Sequence, residues 1–201
     1  MTIYKLNCHS VVNNGILLKM KIKYFKYIKL SIAILFLVML SCEKDDICSE
    51  GTSTTARLFI EFYDISNQES LKNIFNFRVQ GVGNENVLSG YNIVTSSQVL
   101  LPLKTDEGIT QYKLHNDYGI DNNGTPDDTS DDIITGNEDI ITITYNTEEV
   151  YVSRACGFKT VFTNITIAVE NDGDNWIQLI QPLNDNQSVI DETTAHFKIF
   201  H

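Results

Sequence analysis

Residues 117–132 hold the densest set of side chains able to do chemistry. They read Asp-Tyr-Gly-Ile-Asp-Asn-Asn-Gly-Thr-Pro-Asp-Asp-Thr-Ser-Asp-Asp. Calcium takes roughly six to eight oxygen ligands, and Asp and Asn clustered around a glycine turn are the residue types that supply them. Asp121, Asn123, Asp127, Asp128 and Asp131 are the candidate ligands. Placing Gly124 at the sixth position of an EF-hand loop puts Gly119 at the first and Ser130 at the twelfth, so both defining carboxylates of that loop are missing. The alternative is a long hairpin loop kept solvated by its charge. Calcium is the one cofactor for which the residues make a case, and nothing requires it.

The other chemistry-bearing residues are scattered. His115, His196 and His201 show no metal-ligand spacing. His196 and Lys198 alternate with Phe197 and Ile199 on the last strand, which predicts an exposed His196. No Gly-x-Ser-x-Gly elbow, His-Glu-x-x-His pair or phosphate loop occurs. Glu148 and Glu149 are adjacent, so on a strand they point to opposite faces; a paired-carboxylate site would need a partner from elsewhere in the fold.

From Met20 the chain is basic and then apolar. Lys21, Lys23, Lys26 and Lys29 precede every acidic residue, and residues 30–40 are apolar or small without a break. A positive region, an apolar core of roughly 7–15 residues and a small residue at the cut make a secretory signal peptide, here 20–41. The run is short of the roughly 20 residues a membrane-spanning helix needs, and a retained signal anchor is the alternative. Met39-Leu40-Ser41-Cys42 resembles the lipobox of bacterial lipoproteins, with Met39 where an aliphatic residue is usual. That resemblance implies a lipid on Cys42, cleavage before it and attachment to a membrane. More than one acyl chain is then needed, since each buried methylene contributes about 0.8 kcal/mol. Lys44-Asp45-Asp46 resembles the short acidic export tag of Bacteroidota surface lipoproteins, with an ordinary solvated tether as the alternative. Residues 1–19 read as an upstream start artefact, 42–55 as a lipidated tether and linker, and 56–201 as the folded domain.

All 26 acidic residues follow Cys42, against nine of the 15 Lys and Arg, so the part beyond the leader carries nine minus 26, or −17. Such a surface repels phosphate backbones and disfavours nucleic acid as a partner. With Cys42 lipidated and Cys8 in the upstream segment, Cys48 and Cys156 remain. Two cysteines in an oxidising compartment imply one disulfide, worth roughly 4–5 kcal/mol for a loop of this size on the chain-entropy model. A catalytic thiol at Cys156 is the alternative, without a recognisable base nearby.

These side chains need elements to position them, and the period of the sequence is that of strands. Leu58, Ile60 and Phe62 fall on one face; Phe75, Phe77 and Val79, Tyr112 and Leu114, and Ile141, Ile143 and Tyr145 repeat the pattern. Residues 99–101 end at Pro102, and residues 158–169, 176–180 and 195–200 complete the set. Asn67-Gln68, residues 81–84, 172–174 and 184–186 read as turns, Asn146-Thr147 as a hairpin turn, and 68–73 as a single helical turn. Eight to ten short strands predict an all-β fold, an antiparallel, Ig-like β-sandwich, with a small β-barrel as the alternative.

Residues 151–159, Tyr-Val-Ser-Arg-Ala-Cys-Gly-Phe-Lys, with residues 42–48, Cys-Glu-Lys-Asp-Asp-Ile-Cys, are similar to the DUF6452 family of uncharacterised Bacteroidota lipoproteins. The resemblance is clearest from residue 42 to about residue 162. It implies a location and a paired-cysteine layout, brings no activity, and leaves the acidic loop unexplained. The expectation is a non-catalytic lipoprotein at the outer membrane and cell surface, a binding or accessory module for an extracellular or periplasmic protein or glycan. Two other expectations compete with it. One is a glycan or peptide hydrolase with carboxylates brought roughly 5–9 Å apart by the fold. The other is a calcium-stabilised adhesion module.

Overall fold

Alternation along an extended chain puts Leu58, Ile60 and Phe62 on one side, and in the computed structural model all three are fully buried at the centre of a sheet. The structure describes Tyr27, Leu30, Ser31, Cys48 and residues 54–185 and 187–201. The span from Cys48 to His201 makes one compact unit. Before it, the described Tyr27, Leu30 and Ser31 are helical and exposed. The leader cleavage site, Cys42, the Lys44-Asp45-Asp46 tag and linker residues 49–53 lie outside the described residues. Among the described residues no helix is long and apolar enough to cross a membrane.

The strands in chain order are β1 (Leu58–Asp64), β2 (Asn67–Leu71), β3 (Ile74–Gly81), β4 (Val87–Ser96), β5 (Gln98–Leu101), β6 (Ile109–Asp121), β7 (Ile133–Ser153), β8 (Gly157–Val169), β9 (Leu179–Pro182) and β10 (Phe197–Phe200). One sheet runs β2-β1-β10-β9, and β5 also pairs with β1. β1 takes β10 along one edge, and β5 and then β2 along the other. β1 and β10 are parallel, with Ile60 beside Phe197 and Phe62 beside Ile199, so the antiparallel expectation fails at that one pair. The second sheet, β4-β3-β6-β7-β8, is antiparallel throughout. The sheets stay open at their edges, so the fold is the all-β sandwich and not the barrel.

The inward faces meet in one core. Phe62 of the first sheet packs edge-on against Phe77 of the second, centroids 5.4 Å apart, and Tyr145 meets Phe162 within the second sheet at 5.1 Å. Each such fully buried apolar side chain contributes about 1.5–3 kcal/mol relative to exposure.

Four local expectations are corrected. Phe75 is exposed although Phe77 and Val79 are buried, because Asn76 takes a left-handed φ of 45° and bulges the strand; Ile74 and Phe77, three apart, then face the core together. Asn146-Thr147 is not a turn: β7 runs straight through it, with a register shift between Thr144 and Asn146, and the hairpin turn lies at residues 154–156. Residues 68–73 are not helical; most of them belong to β2, and the turn before it is Ile65-Ser66 instead of Asn67-Gln68. β9 begins at Leu179, with Trp176 and Ile177 buried ahead of it.

Candidate functional site

Antiparallel pairing sets what lies at each end of the second sheet. Gly81 is opposite Tyr112, and Ile109 is opposite Thr144, so the β3–β4 turn, the start of β6 and the last part of β7 share one end. The β6–β7 loop is at the other. At the shared end an open cleft of about 500 Å³ lies between the β3–β4 turn, the start of β4, and the segment that joins β5 to β6.

The far wall of the cleft is held by buried hydroxyls. Tyr112 donates to the Pro102 carbonyl, and Tyr145 donates to the Lys104 carbonyl at 2.9 Å. Thr110 Oγ1 lies 2.6 Å from the Tyr145 hydroxyl and accepts from the Lys104 amide at 3.1 Å. Tyr145 N–H donates to Gly108 O, and the backbone is so close there that a Cβ on Gly108 would stand 3.0 Å from the Tyr145 carbonyl. Burial pushes the Tyr112 phenol up to about 12, with a smaller contribution from Tyr145, and burial raises Tyr145 too. Both phenols are therefore neutral hydrogen-bonding groups at ordinary pH.

The open wall mixes polar and apolar side chains and is mostly uncharged. Asn84, Asn86, Ser89 and Gln111 line it together with Val82 and Leu88. Its charges are Lys104 and Glu107, paired at 2.8 Å and both about half exposed; the Glu107 hydrogen bond raises the Lys104 pKa. Among the described residues Glu107 is the single carboxylate of the lining. The arrangement can hydrogen-bond a polar ligand, but a retaining or inverting hydrolase needs two carboxylates roughly 5–9 Å apart.

The acidic loop folds on itself at the opposite end. Asp121 Oδ1 accepts from Asn123 N–H at 3.0 Å, and Asn122 Oδ1 accepts from Gly124 N–H at 3.2 Å. Asp128 Oδ1 accepts from both the amide and the hydroxyl of Ser130, at 3.0 and 2.6 Å, capping the 3-10 turn Thr129–Asp131. Those two bonds hold the Asp128 pKa below the usual carboxylate value. Asp131 accepts from Thr125 Oγ1 at 2.8 Å, and Asp127 is exposed. Of the five candidate ligands, three carboxylates and the Asn123 backbone are thus engaged within the loop. No group of three or more His, Cys, Asp or Glu side chains among the described residues is placed to hold a metal ion.

Cys48 and Cys156 are joined, with Cα atoms 4.9 Å apart. The bridge sits in the β7–β8 turn, at the end of the second sheet that also holds the cleft. From Asn146 onward β7 pairs with β8 alone, as a two-stranded ribbon that projects beyond β6.

One histidine differs from expectation. His196 is buried, not exposed: its ring Nδ1 accepts from the Phe59 amide at 3.0 Å, and its backbone N–H donates to Phe59 O at 2.8 Å. The ring thereby stands in for a ladder partner at the start of β1, and burial lowers its pKa. His115, also buried, lies 3.5 Å from Glu138 and stacks edge-on with Tyr118 on the outer face of the sheet. The cleft was not visible in the sequence, because its lining comes from separate segments, none carrying a motif.

No curated protein and no solved structure matches the chain. A family of unknown function, DUF6452, matches residues 76–201. The match begins inside β3 and takes in the acidic loop, the Cys156 hairpin and the C-terminal strands, so it reaches further toward the C-terminus than residue 162 and excludes residues 42–48. With well over half its length matched, the chain belongs to the DUF6452 family.

Proposed function

We propose that the protein is a non-catalytic binding or accessory module, held at the outer membrane on the cell-surface side by a lipid on Cys42, with the cleft between β4 and β6 as its binding site. The observation that carries the reading is the make-up of that cleft: amides, hydroxyls and one exposed ion pair set among apolar side chains such as Val82, Leu88 and Ile109, around about 500 Å³, with a single carboxylate among the described residues. Convergent polar groups in a concave site of this size suit a hydroxyl- or amide-rich ligand, a short glycan or an extended peptide. The charge of −17 beyond the leader favours a neutral or cationic one. The bridge supports anchoring at this end, because Cys48 follows Cys42 by six residues and is tied to the ribbon beside the cleft.

The test uses the lipidated protein. Hydrogen exchange at residues 82–89 and 103–111 is expected to slow on adding one of a panel of neutral oligosaccharides and short polar peptides, with residues 122–132 unchanged. Uniform exchange across the panel would remove the cleft from the reading. An alkyne fatty acid fed to the producing cells is expected to label the protein and not the Cys42→Ala variant; equal labelling would remove the anchor.

A further inference from the structure

The β7–β8 hairpin carries two aromatic rings that the core does not cover. Tyr151 and Phe158 are directly opposite each other on the ribbon, centroids 5.4 Å apart, and remain 59% and 65% exposed. They sit at the tip of the segment that projects beyond β6. The same tip is bonded through Cys156 to Cys48, six residues after Cys42 in the sequence.

We propose that this tip is a membrane foot, with Tyr151 and Phe158 seated where lipid headgroups meet acyl chains and Arg154 against lipid phosphates. The inference rests on the reading of Cys42 as lipid-bearing. Reach comes first. Cys42 and Cys48 are six residues apart, and six extended residues span about 20 Å at most. Cys48 is bonded to Cys156 across 4.9 Å between Cα atoms, and Phe158 is two residues further, so a lipid on Cys42 keeps the ring pair within roughly 30 Å of its attachment point. Composition agrees. Tyr, with an apolar body and a polar tip, is a type enriched at membrane–water boundaries, and Phe is among the side chains that interfacial segments bury beside it.

Charge agrees as well. Residues 151–159 contain Arg154 and Lys159 and no Asp or Glu, whereas the tether carries Glu43, Asp45, Asp46 and Glu50 against Lys44, so the hairpin and not the tether supplies the positive charge. Arg154 is exposed, whereas Lys159 also reaches the Ile190 carbonyl at 3.3 Å. The first carboxylates back along β7, Glu149 and Glu148, stand two and three residues before Tyr151, or roughly 7–10 Å up the strand toward water. Exposed apolar side chains occur at the other end of β7 too, where Ile120 pairs with Ile134, but six aspartates surround them in residues 117–132, and an anionic lipid surface would repel that end.

The experiment uses the full lipidated chain with Phe158→Trp, in vesicles of phosphatidylethanolamine with a minor share of phosphatidylglycerol. Bromines high on the acyl chains are expected to quench the new indole at least roughly twofold more than bromines at the chain ends, as for a ring seated about 5–10 Å deep. Trp176, buried against Phe62, serves as the unquenched control in the unsubstituted chain. Adding Arg154→Glu is expected to reduce the quenching. A chain that floats with the vesicles and shows no bromine quenching overturns the foot and leaves the anchor standing. One that does not float overturns both. Cross-linking between copies through the tip, without quenching, assigns the surface to a second copy and also overturns the foot.

Discussion

Each end of β7 turns into a hairpin, and the two are held by different means. At the β6–β7 end, residues 117–132 contain six aspartates and no Lys or Arg. That turn is stabilised almost wholly from within, by side chains that bond amides two residues on. At the β7–β8 end, the ribbon has no β6 beside it, and a two-stranded ribbon alone is marginal in water. Here distant parts of the chain supply the support. Cys48 is bridged to the turn, Thr55 Oγ1 accepts from the Thr160 amide at 2.9 Å, and Val189 bonds Phe162 through both backbone groups along the edge of β8. Arg57 adds a fork onto Glu192 at 2.6 and 2.9 Å. A hairpin that carries its own turn chemistry can end in a long loop; one that overhangs must be lashed to something else.

The largest effect expected from this contrast follows loss of the bridge. Reduction, or Cys156→Ser, is expected to lower stability by about 4–5 kcal/mol on the chain-entropy model for a loop near 100 residues. Guanidinium unfolding with and without reductant measures it. Hydrogen exchange should show a larger loss of protection in residues 146–162 than in residues 109–121 and 133–144. A loss spread evenly over both ends would erase the distinction between them.

An intermediate effect belongs to the body of β7, between the hairpins. Asp139 is fully buried, and Oδ2 accepts from the Ile177 amide at 2.8 Å. Burial raises its pKa, partly offset by the Ile177 amide, the Asn175 side chain and the Trp176 amide. A carboxyl whose folded pKa lies above the unfolded one contributes its full stability below the unfolded value, and the contribution is lost as pH rises through the folded one. Asp139→Ala leaves Ile177 N–H buried without an acceptor and is expected to cost about 1–3 kcal/mol in acid. The cost should shrink as pH rises toward neutral, because the wild-type carboxylate is then the less stable form. Chemical denaturation of both proteins across that range measures the difference; a gap that widened with pH would contradict the raised pKa.

What the sequence disclosed depends on where the backbone keeps a strict period of two. The inward faces of β1, β6 and the middle of β7 follow directly from alternation at Leu58-Ile60-Phe62, Tyr112-Leu114 and Ile141-Ile143-Tyr145. β4 was missed because Gly90 and Ile93 both have positive φ, 86° and 56°, and two such residues in ten break the alternation. Phe75 was misplaced by the bulge at Asn76, whose side chain donates to Asp117, itself at φ 55° on the neighbouring strand. Gly136 faces that second bulge, where a Cβ would collide with the Asp117 carbonyl. His196 was misjudged because its role is to replace a backbone acceptor, which no side-chain pattern reveals. The Cys48–Cys156 pairing was legible because only two cysteines remain after Cys42 and Cys8 are set aside, whereas the cleft depends on a register between β3 and β6 that the sequence does not state.

The smallest effect is expected at the acidic end. Replacing residues 122–132 with Asn-Gly removes a loop whose hydrogen bonds are nearly all internal, and loop-closure entropy changes slowly with length. Stability is therefore expected to move by no more than about 0.5 kcal/mol, the usual range for surface changes away from buried features. Calcium sharpens the same point. To bind it, Asp121, Asp128 and Asp131 would have to turn from Asn123, Ser130 and Thr125, so binding would have to open the turn that now holds the loop. Thermal melts of the full chain and the shortened variant in millimolar calcium are accordingly expected to match those in chelator. A ligand that binds only the folded state stabilises it by RT ln(1 + [L]/Kd). A melting shift that grows with calcium in the full chain and is absent from the shortened one would place Asp121, Asn123, Asp127, Asp128 and Asp131 around an ion. The self-supporting end would then also depend on something outside its own sequence, and the contrast between the two hairpins would fail.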